Sequence, residues 1–179
     1  MNAHGLHSPL VYDLYTDILE KKKEFYSFRR INNLYNKKKD FCKKEAELLY
    51  QLLNKYGYRK GLIIGPGKES MRSIMMDIST EIQIQIEYKE ESNFDFIHFC
   101  SNCATSDLNI IPLQAIAQET QFISLSQPHH YMGQELLWNE LISNSLIRVT
   151  VDLWSMGICF PNNKQRKQHF ILQNKHFQF

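Results

Sequence analysis

Lys60–Met76 reads KGLIIGPGKESMRSIMM: a strand, a glycine-rich turn and a helix in immediate succession. Leu62, Ile63 and Ile64 form a short apolar run with Gly61 before it and Gly65 after it, which suits a buried parallel strand. Gly65-Pro66-Gly67 is the sharp turn, because glycine tolerates positive φ and proline fixes its own. Beyond it, Met71, Ile74, Met75 and Ile78 follow the i, i+3, i+4, i+7 spacing of a helix with one buried face. Such a unit aims backbone N–H groups and the positive end of a helix dipole at whatever sits above the strand. α/β proteins hold anions and nucleotide-like cofactors there.

The elements on either side extend this pattern. Ser8-Pro9 is a helix start, with serine at the N-cap and proline at N1. Leu10, Leu14, Ile18 and Leu19 carry the helical stripe to about Lys22, and a short helix follows over Arg29–Tyr35. Glu45–Tyr56 is a stronger helix, facing Leu48, Leu49, Leu52 and Leu53 inward and stopping at Gly57. After the central unit, Ile82, Ile84 and Ile86 alternate with polar residues as a half-exposed strand ending at Glu87. Further strands are expected at Phe94–Phe99, Phe122–Leu125, Ile147–Leu153, Ile158–Phe160 and His169–Leu172. Helices are expected at Ile110–Gln118 and Gly133–Ser143, the latter carrying Leu136, Leu137, Trp138, Leu141 and Ile142. Gly157 reads as part of a tight turn, and Trp138 and Trp154 as core. Strands alternating with helices, then antiparallel strands at the end, make an α/β sheet with a mixed edge. Residues 1–57 form a helical cap on a core of residues 58–179, in one compact unit.

Composition narrows the classes. A chain of 179 residues with 43% hydrophobic and 12% aromatic content suits one globular domain and excludes disorder. No apolar run reaches the roughly 18–20 residues that cross a bilayer, and MNAHGLHSPLVYDLY lacks the regions of a signal peptide. Cysteines at 42, 100, 103 and 159 are too irregular for a disulfide framework, so a reducing cytoplasm is the expected location. Residues 1–60 hold 13 Lys and Arg against 7 Asp and Glu, and the remainder 8 against 12. Lys21–Lys23 and Lys37–Lys39 read as solvated helix ends rather than a nucleic-acid surface, since no stacking aromatics interleave them.

Two stretches carry a family resemblance. The opening, His4-Gly5-Leu6-His7-Ser8-Pro9-Leu10-Val11-Tyr12-Asp13-Leu14, is similar to the HGxHSPFVxDL start of a bacterial O-methyltransferase-like family. Val149–Ile158 followed by Lys167-Gln168-His169-Phe170 is similar to its terminal hairpin. The order of elements between them resembles class I S-adenosylmethionine-dependent methyltransferases. The resemblance implies a Rossmann-like methyltransferase sheet, mostly parallel with an antiparallel C-terminal hairpin, shortened in the middle. It places Gly65, Pro66 and Gly67 at the cofactor loop and Glu87 at the ribose hydroxyls.

The departures from the family concern chemistry. Where relatives end the first strand in E-L-G-T-S-x-G, Ile63 takes the place of the acid and Glu69 that of a glycine. Only six residues separate Glu87 from Phe94, where a helix and a third strand belong. Either Glu87 is the ribose acid and the adenine wall is missing, or its strand is the third one and the acid is missing. Cys100-Ser101-Asn102-Cys103 replaces a D-G-N-H-like motif, and Ser126-Gln127-Pro128-His129 replaces D-D-x-H. The paired acids of a Mg²⁺ site are therefore gone, and no residue is assigned as catalytic.

Cys100, Cys103, His129 and His130 stand at the ends of neighbouring strands, and two thiolates with two imidazoles suit Zn²⁺. The alternative is ordinary buried cysteines and loop histidines. A Cys-x-x-Cys redox role lacks a thioredoxin-like strand order, and GPGK lacks P-loop spacing. His4 and His7 read as a helix cap or as a substrate entrance. The sequence thus implies a methyltransferase-type fold without methyl transfer, kept as a binding or structural protein. The rivals are a metal-free methyltransferase with an unknown small-molecule acceptor, using Gly65, Gly67 and Glu87, and a small Cys/His metal protein. Loss of a helix and a strand exposes apolar sheet, which a homodimer would cover.

Overall fold

The computed structural model describes residues 8–20, 26–38, 42–89, 93–109, 120–161 and 164–172. The His4–His7 opening, the Lys21–Lys23 run and the expected Ile110–Gln118 helix lie outside them.

Ser8 caps α1 (Pro9–Leu14), its Oγ accepting from the Val11 N–H, and a π-helical stretch continues to Glu20. The Ser8 hydroxyl also donates to Gln165 Oε1 at 2.8 Å, which ties the first helix to the far end of the chain. α2 (Tyr26–Lys38) is longer than the spacing predicts, and α3 (Lys43–Tyr56) ends as expected on Gly57 in the left-handed region. β1 (Lys60–Ile64) runs through the glycine turn into α4 (Lys68–Ile78). Then follow β2 (Gln83–Gln85), β3 (Phe96–Phe99), α5 (Thr105–Leu108), β4 (Phe122–Ser126) and α6 (Met132–Ser143). β5 (Val149–Asp152), β6 (Met156–Phe160) and β7 (Gln168–Ile171) are the last of the described elements.

The seven strands form one sheet in the order β2-β1-β3-β4-β6-β5-β7. β2, β1, β3 and β4 are parallel, and β6 returns antiparallel between β4 and β5. This is the expected Rossmann-like sheet, mostly parallel with an antiparallel C-terminal hairpin. β7 is an addition at the edge, and it runs parallel to β5 rather than antiparallel. β2 pairs directly with β1, and no strand lies outside it among the described residues.

Register separates the two faces. Gly61, Ile63, Phe96, His98, Phe122 and Ser124 point to the side covered by α1, α3 and α4. Leu62, Ile64, Ile97, Phe99, Ile123 and Leu125 point to α5 and α6. On the first face an aromatic ladder crosses the amino ends of the strands. Tyr56 stacks on Tyr58, Tyr58 packs on Phe122, and Phe122 stacks on Phe96 at 5.6 Å. Gly61 is required beneath it, because a Cβ there would meet the Phe96 ring at 2.1 Å.

Two expectations are corrected elsewhere in the sheet. Gly157 lies within β6, not in a turn, and is small because the Trp138 indole covers it; a Cβ would come within 2.6 Å of that ring. Trp154 is not core: it sits in the turn between β5 and β6 with 56% of its surface exposed. Leu136 is exposed too, since α6 packs through Gln134, Leu137, Trp138 and Leu141.

One polar contact fastens the first layer. Glu45, on the apolar stripe of α3, places Oε1 at 2.7 Å from His98 Nε2, and both side chains are buried. Its Oε2 accepts from Ser126 Oγ at 2.6 Å, and His98 Nδ1 meets Ser124 Oγ at 2.9 Å. Removing one partner of such a buried pair costs about 3–5 kcal/mol. Glu45→Ala and His98→Ala should therefore each lower urea-unfolding stability by about that amount, the double variant losing less than their sum. Losses below about 1 kcal/mol would show that α3 docks through its leucines alone.

Candidate functional site

From β1 the chain steps outward to β2, then returns to the other side of β1 as β3. The carboxyl ends of β1 and β3 thus mark a topological switch point, where open α/β sheets bind ligands. The glycine turn lies here, with Gly65 at φ 96° and Gly67 at φ 82° as the N-cap of α4. Pro66 and Gly67 are exposed. Glu69 is also exposed, in the first turn of α4, where an acid complements the helix dipole. Lys68 reaches from that turn to donate to the Ile86 carbonyl at 3.1 Å, spanning the ends of β1 and β2. Glu87 follows β2, next to β1 in the sheet, and is exposed.

The crevice is filled from the β3 side. Beyond β3 the chain turns through Asn102, at φ 64°, and brings the Cys103 sulfur against Gly65. A Cβ on Gly65 would lie 2.1 Å from that sulfur. Cys103 is buried, and its thiol contacts the Ile64 carbonyl at 3.5 Å. Burial, with the charges of Asp107 and Glu45, pushes the thiol pKa up to about 12. Cys100, buried nearby, is also held well above the ordinary thiol range, first by desolvation, then by Glu45 and Cys103. Neither sulfur is a ready thiolate, the form that binds metal or attacks a disulfide.

The residues of the sequence-based zinc set do not meet. Among the described residues no three His, Cys, Asp or Glu side chains form a group that could hold a metal ion. Cys100 and Cys103 line the glycine turn, while His129 turns away to a carboxylate and His130 packs edge-on against Tyr131. His129 Nε2 lies 2.6 Å from Asp152 Oδ2. Asp152 also accepts from Trp138 Nε1 at 3.1 Å and from the Trp154 N–H at 2.7 Å. The Trp154 indole stacks on His129 with centroids 4.6 Å apart.

Between the two regions runs a polar chain. Ser126 Oγ, bonded to Glu45, lies 3.0 Å from Ser101 Oγ, which reaches Gln127 Oε1 at 3.4 Å. Gln134 at the start of α6 donates to the carbonyls of Ser126 and Cys100, clamping the ends of β4 and β3 together. Ser124, His98 and Glu45 resemble a nucleophile–base–acid relay in order, but Ser124 and His98 are wholly enclosed and no substrate reaches them.

Sequence reasoning missed Glu45, His98 and Asp152. Two left a signal: Glu45 stands three and four residues before Leu48 and Leu49, inside the apolar stripe, and His98 interrupts an apolar strand. A polar residue on a buried face needs a partner.

The sequence matches no protein-family model and no curated protein. Among solved structures, the chain is similar to the O-methyltransferase TomG of Streptomyces achromogenes, involved in tomaymycin synthesis and solved in complex with SAM. The TM-score is 0.48 at 11% identity, over 86% of this chain and 96% of that one. A candidate O-methyltransferase from Klebsiella pneumoniae gives a TM-score of 0.47 at 10% identity, over 86% and 97%.

The burial of the thiols is directly testable. Native protein at pH 8 should leave Cys100, Cys103 and Cys159 unmodified by a chromogenic disulfide reagent, all three reacting once urea unfolds the chain. Rapid native labelling at Cys103, located by peptide mass mapping, would show the crevice to be open.

Proposed function

We propose that this chain is a methyltransferase-type fold that has given up methyl transfer and serves as a binding or structural protein. The observation that carries this reading is the Cys103 sulfur packed against Gly65 at the switch point. The family resemblance assigns that space to the methionine part of S-adenosylmethionine, and glycine there serves to keep it open. Here a neutral, buried side chain occupies it. The surrounding chemistry supports the same conclusion. Lys68 is committed to the Ile86 carbonyl, and Glu87 is solvent-facing beside a strand with no outer neighbour among the described residues. The positions where relatives carry paired acids hold Ser126, which is tied to Glu45, and Gln127. The sequence assigns no residue as a base to take a proton from an acceptor hydroxyl.

Calorimetric titration of S-adenosylmethionine and S-adenosylhomocysteine tests this. A ligand at 100 times its Kd stabilises the native state by about 2.7 kcal/mol, roughly 5–11 °C in Tm for a domain of this size. The expected result is no heat and no shift in Tm at millimolar ligand. Micromolar binding would overturn the proposal and restore a metal-free methyltransferase.

Among the described residues β2 has no outer neighbour, which supports a homodimer as the working form, since an unpaired edge strand invites a second copy. Light scattering at micromolar concentration should give twice the chain mass. A monomer that persists to about a hundredfold higher concentration would remove the dimer from the proposal.

A further inference from the structure

Charge is unevenly divided along the chain. Residues 61–140 carry 3 Lys and Arg against 11 Asp and Glu, whereas residues 141–179 carry 5 against 1. That one acid, Asp152, is buried at the carboxyl end of β5, where His129 and Trp138 engage it. Four of the five cations meet at the opposite edge of the sheet. Arg148 stands just before β5, and its carbonyl accepts from the Gln168 N–H at 2.8 Å, which sets it beside residues 164–167. Arg148, Lys164, Arg166 and Lys167 are all exposed, and among the described residues none of them forms an ion pair. The segment that carries three of them is fixed, because Gln165 accepts from the Ser8 hydroxyl at the start of α1.

One apolar side chain stands among these charges. α6 ends at Ser143, and Asn144 turns the chain, its Oδ1 accepting from the Leu146 N–H at 2.9 Å and its carbonyl from the Ile147 N–H at 3.2 Å. Lys167 Nζ donates to the Ser143 and Asn144 carbonyls at 2.7 and 2.6 Å. The turn is thus pinned with Ile147 in the core and Leu146 exposed two residues before Arg148. Lys167 also offsets the negative end of the α6 dipole, which would otherwise oppose an anion here. Cations fixed around a leucine fit a partner that is anionic at its face and apolar just beneath. We propose that this edge docks on an anionic lipid bilayer, with headgroup anions against the four cations and Leu146 at the boundary with the acyl chains. Each Lys or Arg held near such a surface strengthens binding by about fivefold. Nucleic acid fits less well, because the side chain set among the cations is aliphatic and gives a base nothing to stack on.

This surface lies at the edge of the sheet away from Gly65, so it does not depend on whether that crevice accepts a cofactor. The test is co-sedimentation of the full chain with sucrose-loaded vesicles of phosphatidylcholine, alone or with about a third phosphatidylserine, at about 0.1 M salt. Binding to the mixed vesicles should exceed binding to the neutral ones by about tenfold or more, and about 0.5 M salt should release it. The double variant Arg148→Gln, Arg166→Gln should lose about tenfold or more at unchanged Tm, since both side chains are exposed and Lys167 is left on its carbonyls. Leu146→Ser should lose about threefold or more, a loss that a purely electrostatic patch would not show. The proposal fails if the vesicles bind alike, if the arginine variant binds as the wild type does, or if Leu146→Ser has no effect. A single-stranded oligonucleotide that binds more tightly than the mixed vesicles and displaces the chain from them would overturn it in favour of nucleic acid.

Discussion

A carboxyl group buried on a helix face must find a partner or be excluded from the fold. Glu45 finds three, directly or at one remove: His98 in the middle of β3, Ser126 at the end of β4, and Ser124 through the imidazole. α3 is thereby held at a single register on two central strands, a specificity that its leucines could not supply, since apolar packing is non-directional. The same residues bring order to the carboxyl edge, because Ser126 leads on to Ser101 and Gln127. Layer packing and edge geometry are thus parts of one hydrogen-bonded system.

The consequence is an edge where polar groups mostly face each other. In an open doubly wound sheet, the strand ends present backbone amides and a few side chains to a ligand. Here the Gly65 turn keeps its shape, with both glycines at positive φ, but the space it frames holds a sulfur. The His129–Asp152 contact and the Trp154 indole stacked on it lie at the β5–β6 turn, away from that sulfur.

The sequence revealed the fold more fully than the site. Alternating strands and helices, the glycine turn and the Gly57 helix stop are local signals, and each lies within a few residues of its expected place. What escaped was settled between distant segments. Gly157 reads as a turn because nothing nearby says that Trp138 will lie upon it, and Trp154 reads as core because hydropathy is blind to a backbone held at φ 68°. The Cys/His set fell apart for the same reason. His129 and Asp152 are 23 positions apart in the chain, and the β4–β6 and β5–β6 pairings bring the carboxylate to that histidine. Glu45 and His98 were missed although each left a local signal, an acid in an apolar stripe and a histidine in an apolar strand.

The aromatic ladder gives this molecule a useful optical asymmetry. Tyr56 and Tyr58 lie at the amino ends of the strands, under the helical layer that contains α3. Trp138 is sealed beneath α6 on the opposite face, and Trp154 stands in solvent at the carboxyl end. The chain has only these two indoles, one dry and one wet, so opening of the β5–β6 turn and release of α6 change indole emission in opposite starting environments. Loss of either contact can therefore be followed in the unmodified protein, without a label.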